Sequence, residues 1–258
     1  MNQPEIKLLS TDLDGTVFGM PDALVRFQTA WQMVPVEQRP LLVYNSGRRV
    51  DDILSLIESG ELAGPDYVIG GVGTEIYDFR KSEWRVDFHQ VLDAGWDYEQ
   101  VRSITAQVPG IEPQPDEFVH KFKSSWYLYR ATTRQLDALR QSLLRAGIRA
   151  EVVYSSDRDL DVLPALANKG NALKWFCGQL GIALNQCIVA GDTANDSAMF
   201  LLNEVYGIVP KNVQPELLEQ LFDCRVYQAS QPMADGILEG LVHYGVLPGS
   251  ETDDRFER

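Results

Sequence analysis

The feature that most constrains this chain is a series of short, continuous apolar runs separated by helix-like patterns. The runs are Ile6–Leu9, Leu41–Tyr44, Tyr67–Ile69, Cys187–Ala190 and Tyr206–Val209. Continuous apolar runs of this length are typical of strands that helices cover on both faces of a parallel sheet. The segments between them carry apolar residues at helical spacing, for example Leu24, Phe27 and Trp31. The alternation predicts βαβ units and an α/β fold with a parallel sheet.

The middle of the chain has a different pattern, which is longer, more polar and more aromatic. Phe118–Tyr129 is predicted as a half-buried strand with Trp126 and Leu128 on one face, Thr133–Ala146 as a helix and Ile148–Tyr154 as another strand. A strand, helix and strand without buried parallel character predict an inserted α+β module. We therefore predict a discontinuous core domain at 1–75 and 165–258, with an inserted domain at 76–164.

Charge and composition exclude two classes of partner. The formal net charge is −14, and nucleic-acid binding depends on clustered Lys and Arg, so we expect no nucleic-acid partner. We expect no membrane association either, because no stretch approaches the roughly 20 apolar residues of a membrane span. Met1–Lys7 lacks the layout of a signal peptide. Cys177, Cys187 and Cys224 lie in apolar surroundings without metal-binding spacing, which favours buried free thiols and a cytoplasmic location.

Polar residues that can carry chemistry follow the apolar runs. Asp12 and Asp14 come directly after the first run, and both side chains leave an extended backbone on the same side. Three more groups follow in order: Asn45-Ser46-Gly47-Arg48, Asn168-Lys169-Gly170 and Gly191-Asp192-Thr193-Ala194-Asn195-Asp196. Taken singly, these groups are equally well explained as turns, helix caps or solvated side chains. The four groups in this order indicate a functional site far more specifically than any one of them does alone.

The ordered set resembles the haloacid dehalogenase superfamily of phosphohydrolases. The resemblance implies a Rossmann-like hydrolase core, with the inserted module acting as an α+β cap that closes over the active site. It implies that Asp12 attacks phosphorus and that Asp14 is the general acid and base. Ser46 and Lys169 would complete the catalytic set.

The same resemblance implies a Mg²⁺ cofactor. The ion would be held by Asp12, by the backbone carbonyl of Asp14 and by Asp192, while Asp196 either ligates it directly or supports it from behind. The phosphate would be bound by Ser46, Gly47, Lys169 and Asn195.

Further segments resemble the sucrose-phosphate phosphatase family. They are residues 71–77, 123–126, 154–164 and 211–218. The resemblance implies hydrolysis of a disaccharide 6-phosphate, either mannosylfructose 6-phosphate or sucrose 6-phosphate, through an aspartyl-phosphate intermediate. Polar groups beside aromatic surfaces suit sugars, which makes sugar-binding candidates of Glu75, Lys123, Ser125, Trp126, Ser156, Asp157 and Arg158. The alternative interpretation is that Trp126 packs in a core and that Asp157 and Arg158 form a solvated turn.

Other functions remain open at this point. A phosphomannomutase-like isomerase shares the core motifs and would move phosphate between sugar positions without releasing it. A phosphatase for another sugar phosphate and a non-catalytic sugar-phosphate binder are the remaining alternatives. In each case the partner is a small-molecule sugar phosphate, and association with the cognate sugar-phosphate synthase is also left open.

Overall fold

The fold is built on two β-sheets, seen in a computed structural model that describes residues 5–115, 120–155 and 157–249. The strands are β1 Leu8–Thr11, β2 Leu41–Asn45, β3 Tyr67–Gly70, β4 Glu75–Asp78, β5 Glu83–Trp84, β6 Glu112–Pro113, β7 Ser124–Tyr127, β8 Ala150–Ser155, β9 Asp159–Pro164, β10 Cys187–Ala190, β11 Tyr206–Val209 and β12 Val226–Gln228. The helices are α1 Pro21–Met33, α2 Val50–Glu58, α3 His89–Leu92, α4 Tyr98–Thr105, α5 Thr133–Arg145, α6 Lys169–Leu180, α7 Ser197–Phe200, α8 Pro215–Leu218 and α9 Met233–His243.

The larger sheet has eight strands within the described ranges, in the order β12-β11-β10-β1-β2-β3-β4-β5. The pairs from β12 to β3 are parallel, and β4 and β5 add antiparallel strands at one edge. This topology confirms the predicted α/β class with a Rossmann-like parallel core. Thr11 lies opposite both Tyr44 and Ala190, so β10, β1 and β2 end at one level and the loops that follow them meet.

Both faces of the larger sheet are buried, which explains the continuous apolar runs. Leu8 packs on one face in a cluster with Phe176 of α6, and Leu9 packs on the other face with Phe27 of α1. Neighbouring residues of one strand therefore both need apolar side chains.

The smaller sheet, which we call the cap sheet, is antiparallel with the order β6-β7-β9-β8. One of its faces packs on α4 and α5 around Val101, Leu139, Leu143 and Leu160. The helices and antiparallel strands of this module agree with the predicted α+β character. β7 is shorter than the predicted strand at 118–129, of which 118–119 lie outside the described residues.

The division into domains at 75/76 and 164/165 stays a prediction. Most of β4 and all of β5 lie after residue 75, yet both strands are hydrogen-bonded into the larger sheet. The sheet that carries the core motifs therefore extends to Trp84.

Two further expectations concern membranes and thiols. No described helix combines the length and the apolar character needed to cross a bilayer. Cys177 and Cys187 are buried free thiols as predicted, whereas the free thiol of Cys224 is partly exposed.

Candidate active site

Three buried carboxylates and a buried lysine lie at the carboxyl ends of β1 and β10. Asp12 follows β1, Asp192 and Asp196 follow β10, and Lys169 begins α6. The Lys169 Nζ atom is 2.7 Å from Asp12 Oδ1 and 2.6 Å from Asp196 Oδ1. One carboxylate oxygen from each aspartate lies within 4.8 Å of the other two. Oxygen donors at this spacing suit a hard divalent cation, so this acidic cluster could bind a metal ion.

The turn after Asp14 fixes the position of Asp192. Gly15 has a left-handed φ of +81°, and a Cβ atom there would lie 2.4 Å from Asp192 Oδ2. Only glycine permits both the turn and this close approach. The Thr16 hydroxyl donates to Asp192 Oδ1 at 3.0 Å, and the Asn212 side chain donates to the Gly15 carbonyl at 2.8 Å. Asn212 is a supporting residue that sequence reasoning did not single out.

Both oxygens of Asp196 are engaged by the protein. Oδ1 accepts from Lys169, and Oδ2 accepts from the backbone N–H groups of Asp192 and Thr193, each at 3.0 Å. This arrangement favours the second of the two predicted roles, in which Asp196 supports the site by holding Lys169 and the loop after β10.

The electrostatics of the cluster follow from burial. Burial raises the pKa of Asp12 to about 7 in spite of the neighbouring Lys169. Burial also raises the pKa of Asp192 to about 6. Burial alone would lower the pKa of Lys169, but the Asp12 and Asp196 carboxylates more than offset it and raise that pKa. A buried site with more carboxylates than ammonium groups is stabilised by an added cation.

The predicted phosphate-binding residues meet at the same edge of the sheet. Ser46 follows β2 directly and is buried, and its N–H donates to the Ile69 carbonyl at 2.9 Å. A Cβ atom on Gly47 would lie 3.9 Å from Asn195 Nδ2, so these two residues adjoin. The Asn45 side chain donates to the Lys169 carbonyl at 3.0 Å and ties the end of β2 to α6.

Asp14 lies outside the buried cluster. Its side chain is 52% exposed, and both of its carboxylate oxygens accept hydrogen bonds from the Arg48 guanidinium at 2.6 Å. Sequence reasoning missed Arg48 as a partner of Asp14. No spacing in the sequence signals this pair, because it depends on how the loops after β1 and β2 are oriented.

Two of the predicted sugar-binding residues lie together on the cap sheet. Ser125 of β7 is directly opposite Asp161 of β9, and its hydroxyl donates to Asp161 Oδ1 at 2.6 Å. The Lys123 Nζ atom is 3.3 Å from Asp161 Oδ2. Asp161 therefore joins Lys123 and Ser125, although sequence reasoning did not propose it.

Trp126 is placed differently from its predicted role in sugar binding. Its side chain is only 5% exposed, packs in the apolar core of the cap, and donates from Nε1 to the Ser124 hydroxyl at 2.8 Å. Trp126 therefore packs in a core, as the alternative interpretation of the sequence predicted. Successive side chains of a strand point to opposite faces, so Trp126 points away from Ser125. Tyr127 shares a face of β7 with Ser125, and its ring stacks on that of Tyr129 at 6.3 Å.

Glu75, Asp157 and Arg158, which were also predicted to bind sugar, lie in other contacts. The buried Glu75 carboxylate accepts a hydrogen bond from Val50 N–H at 2.9 Å and thereby caps α2. Burial raises the pKa of Glu75. Asp157 and Arg158 lie in an exposed turn, where Arg158 pairs with Asp159 at 3.0 Å. Ser156 lies outside the described residues.

Solved structures define the class of protein. The chain matches a haloacid dehalogenase-like hydrolase from Bacillus subtilis with a TM-score of 0.68 at 16% identity, over 93% of this chain and 92% of that one. It also matches the sucrose-phosphatase of Synechocystis, solved with sucrose and phosphate, with a TM-score of 0.82 at 30% identity, over 95% and 99% of the two chains. The fold is that of the haloacid dehalogenase-like hydrolases.

Sequence comparison defines the family within this class. The family model for sucrose-6F-phosphate phosphohydrolase matches residues 5–245. The mannosylfructose-phosphate phosphatase of Agrobacterium fabrum is 45% identical over 244 residues, which cover 94% of this chain and 98% of that protein. The chain belongs to the sucrose-6F-phosphate phosphohydrolase family and is a sugar-phosphate phosphatase.

Proposed function

We propose that this chain is a Mg²⁺-dependent phosphatase that hydrolyses a disaccharide 6-phosphate to the free disaccharide and inorganic phosphate. The observation that carries the proposal is the buried contact of Lys169 with Asp12 inside the acidic cluster. Mannosylfructose 6-phosphate and sucrose 6-phosphate are the proposed substrates, a choice supported by the names of the similar proteins.

The residues of the cluster fit a Mg²⁺ ion. The donors are carboxylate oxygens, the raised pKa values of Asp12 and Asp192 reflect buried negative charge, and the cluster holds one lysine for three aspartates. Asp12, Asp192 and the backbone carbonyl of Asp14 would hold the ion, and Asp196 would support them. The ion would supply positive charge between the Asp12 carboxylate and the phosphate dianion.

Asp12 is the proposed nucleophile. One of its carboxylate oxygens attacks phosphorus, the bond from phosphorus to the sugar oxygen breaks, and an aspartyl-phosphate forms on Asp12. The salt bridge from Lys169 fixes the Asp12 carboxylate for this attack. The Ser46 hydroxyl, the Gly47 N–H and the Asn195 amide would donate hydrogen bonds to the phosphoryl oxygens.

Asp14 is the proposed general acid and base. It would protonate the leaving sugar oxygen and then accept a proton from the water that hydrolyses the aspartyl-phosphate. Both carboxylate oxygens of Asp14 accept hydrogen bonds from Arg48, so neither oxygen is free to contact the leaving sugar oxygen. The pair must therefore open when substrate binds, which leaves Arg48 available to a phosphate or sugar oxygen.

The sugar would be bound by the inserted domain that we propose at residues 76–164. The Lys123 Nζ atom and the Ser125 hydroxyl lie 3.3 Å and 2.6 Å from the Asp161 carboxylate, and Tyr127 provides aromatic surface on the same face of β7 as Ser125. This mixture suits a ring that carries several hydroxyl groups. A cytoplasmic location remains part of the proposal.

The test is phosphate release from four substrates measured side by side with Mg²⁺ and with EDTA. The substrates are sucrose 6-phosphate, mannosylfructose 6-phosphate, mannose 6-phosphate and trehalose 6-phosphate. We expect strong preference for a fructose-containing disaccharide phosphate and loss of activity with EDTA. Migration of phosphate without release would instead indicate a mutase.

Asp12→Asn tests the nucleophile in the same assay. The amide keeps the shape of the side chain but is a far weaker nucleophile, so we expect turnover to fall by at least about 10³-fold. A folded Asp12→Asn protein with wild-type turnover would show that Asp12 is not the nucleophile.

A further inference from the structure

The turn between β3 and β4 has an unusual backbone. Gly71, Val72 and Gly73 adopt left-handed φ values of 58°, 59° and 87° in succession. Valine is β-branched and disfavours this conformation, so Val72 stays there only because its surroundings hold it. The contacts that hold the turn therefore indicate what it does.

One set of contacts joins the turn to the phosphate-binding segment after β2. The Gly71 N–H donates to the Arg48 carbonyl at 2.8 Å, and the Val72 N–H donates to the Ser46 carbonyl at 3.2 Å. Both bonds are made to the backbone that positions the Ser46 hydroxyl and the Gly47 N–H.

A second contact joins the turn to the start of α6. A Cβ atom on Gly73 would lie 2.4 Å from the carbonyl oxygen of Asn168, the residue that caps α6 immediately before Lys169. The turn is thus packed against the two segments that carry Ser46 and Lys169. A shift of its backbone would disturb both.

A histidine from the inserted segment completes the turn. The buried Thr74 hydroxyl donates to the Gly71 carbonyl at 2.9 Å, so it accepts from Nε2–H of His120 at 3.2 Å. The Nδ1 atom of His120 accepts the Phe122 N–H at 3.3 Å. These bonds assign the neutral tautomer with its proton on Nε2.

We propose that His120 is a positioning residue for the phosphate-binding half of the active site. Through Thr74 it fixes the turn at residues 71–73, and through that turn it fixes Ser46 and Lys169 relative to each other. The inference rests on the phosphate-binding roles proposed above. His120 itself has no contact with the acidic cluster among the described residues, and its effect passes through the turn.

The test compares the binding of inorganic phosphate with the hydrolysis of a substrate that has no sugar. The variants are His120→Leu and Thr74→Val, which remove the hydrogen bond, and His120→Gln and Thr74→Ser, which keep a donor or an acceptor. Phosphate affinity is measured by calorimetry and turnover with p-nitrophenyl phosphate, each in the presence of Mg²⁺. Because neither ligand has a sugar to contact the cap, both readouts report on the core.

Loss of one buried hydrogen bond corresponds to about a 5- to 10-fold change in an equilibrium constant. We expect His120→Leu and Thr74→Val each to weaken phosphate binding and to lower p-nitrophenyl phosphate turnover by this factor. The double variant should lose less than the sum of the two single losses, because both substitutions remove the Thr74–His120 bond. His120→Gln and Thr74→Ser should stay within about twofold of wild type.

His89 supplies a control, since its ring packs at 5.0 Å on Phe122, the residue whose N–H donates to His120, and no hydrogen bond among the described residues joins His89 to Thr74. His89→Leu should leave phosphate affinity unchanged. Wild-type affinity in folded His120→Leu and Thr74→Val proteins would overturn the inference, as would additive losses in the double variant. A wild-type protein that releases no phosphate from any disaccharide phosphate would instead count against the proposed function.

Discussion

Asp14 and Asp12 are two residues apart but occupy different environments. Asp12 is buried beside Lys169, whereas Asp14 is half exposed and paired with Arg48. The Asp12 carboxylate is therefore fixed beside a buried cation, whereas the Asp14 carboxylate can reach bulk water once Arg48 moves. This difference is consistent with the separate roles proposed for Asp12 as nucleophile and Asp14 as proton carrier.

Asp14→Asn should separate the two steps of the reaction. p-Nitrophenolate leaves without a proton, so the first step should survive, while hydrolysis of the aspartyl-phosphate should slow by about 10²–10⁴-fold without its base. We expect a rapid burst of p-nitrophenol that approaches one equivalent of enzyme, followed by slow turnover. Equal losses on p-nitrophenyl phosphate and sucrose 6-phosphate, without a burst, would contradict the assignment of Asp14.

Lys169→Met should destabilise the protein strongly when EDTA is present. The variant leaves the Asp12 and Asp196 carboxylates buried without their cation, and removing one partner of a buried ion pair costs about 3–5 kcal/mol. Urea unfolding measures the change. Lys121→Met is the control, since Lys121 is exposed and pairs with the exposed Asp93 at 2.8 Å. That variant should change the free energy of unfolding by less than about 1 kcal/mol.

For individual residues, the sequence indicated which side chains belong to the candidate site, but it did not indicate which residues they pair with. The resemblance carried by the ordered motifs implied that Asp12, Lys169, Asp192 and Asp196 share one site, and the structure brings them together at the carboxyl edge of the larger sheet. The pairing of Asp14 with Arg48 could not be predicted. It depends on how two loops are oriented, and residue spacing carries no information about that.

Two glycines of α6, Gly170 and Gly178, differ in how closely other atoms surround them. A Cβ atom on Gly170 would lie 2.0 Å from the carbonyl oxygen of Ala198, whereas a Cβ atom on Gly178 would meet nothing within 4 Å. Gly170 therefore lets α6 and α7 approach closely beside the acidic cluster. Gly178 only adds flexibility to the unfolded chain.

Substitution of these two glycines by alanine should have opposite effects. Gly170→Ala should lower the free energy of unfolding by about 1–3 kcal/mol through overpacking, and it should also lower activity because Lys169 is the adjacent residue. Gly178→Ala should raise the free energy of unfolding by about 0.5–1 kcal/mol. Chemical denaturation of the two variants beside wild type checks both signs. A neutral Gly170→Ala variant would mean that α7 can move away without cost.

The elements of the fold were predictable to different degrees. Apolar runs predicted the central parallel strands because burial on both faces constrains every residue. The two-residue strands β5 and β6 are exposed and have no such constraint. In β7 the alternation of side chains was visible, but the aromatic Trp126 was predicted to bind sugar. The structure places Trp126 in the apolar core of the cap, and Tyr127 lies on the opposite face of the strand with Ser125.

Over the whole molecule, His120 should make stability depend on pH. Burial, with help from the nearby charges of Lys123 and Arg49, lowers the pKa of His120 from 6.5 to about 3. As pH falls, His120 therefore takes up a proton in the unfolded state before it does so in the folded state. The contribution of neutral His120 to the free energy of unfolding is complete above pH 6.5 and is lost as pH falls toward 3. At pH 5 the loss should be about 2 kcal/mol.

The comparison with His120→Gln isolates this contribution, because glutamine does not titrate and the other groups cancel. Urea unfolding of both proteins at pH 7, 6 and 5 should show the wild type losing stability relative to the variant as pH falls. A difference that stays constant across this range would show that His120 titrates alike in the folded and unfolded states.

The strand order of the larger sheet has a consequence for synthesis on the ribosome. β1 lies between β2 and β10, so one edge of the first strand has to wait for a partner that is translated about 180 residues later. At roughly 5–20 residues per second, that edge of the nascent chain stays open for about ten seconds or more. A nascent chain arrested before β10 emerges would expose an apolar strand edge, and chaperones that shield such edges should be retained on it until β10 has been made.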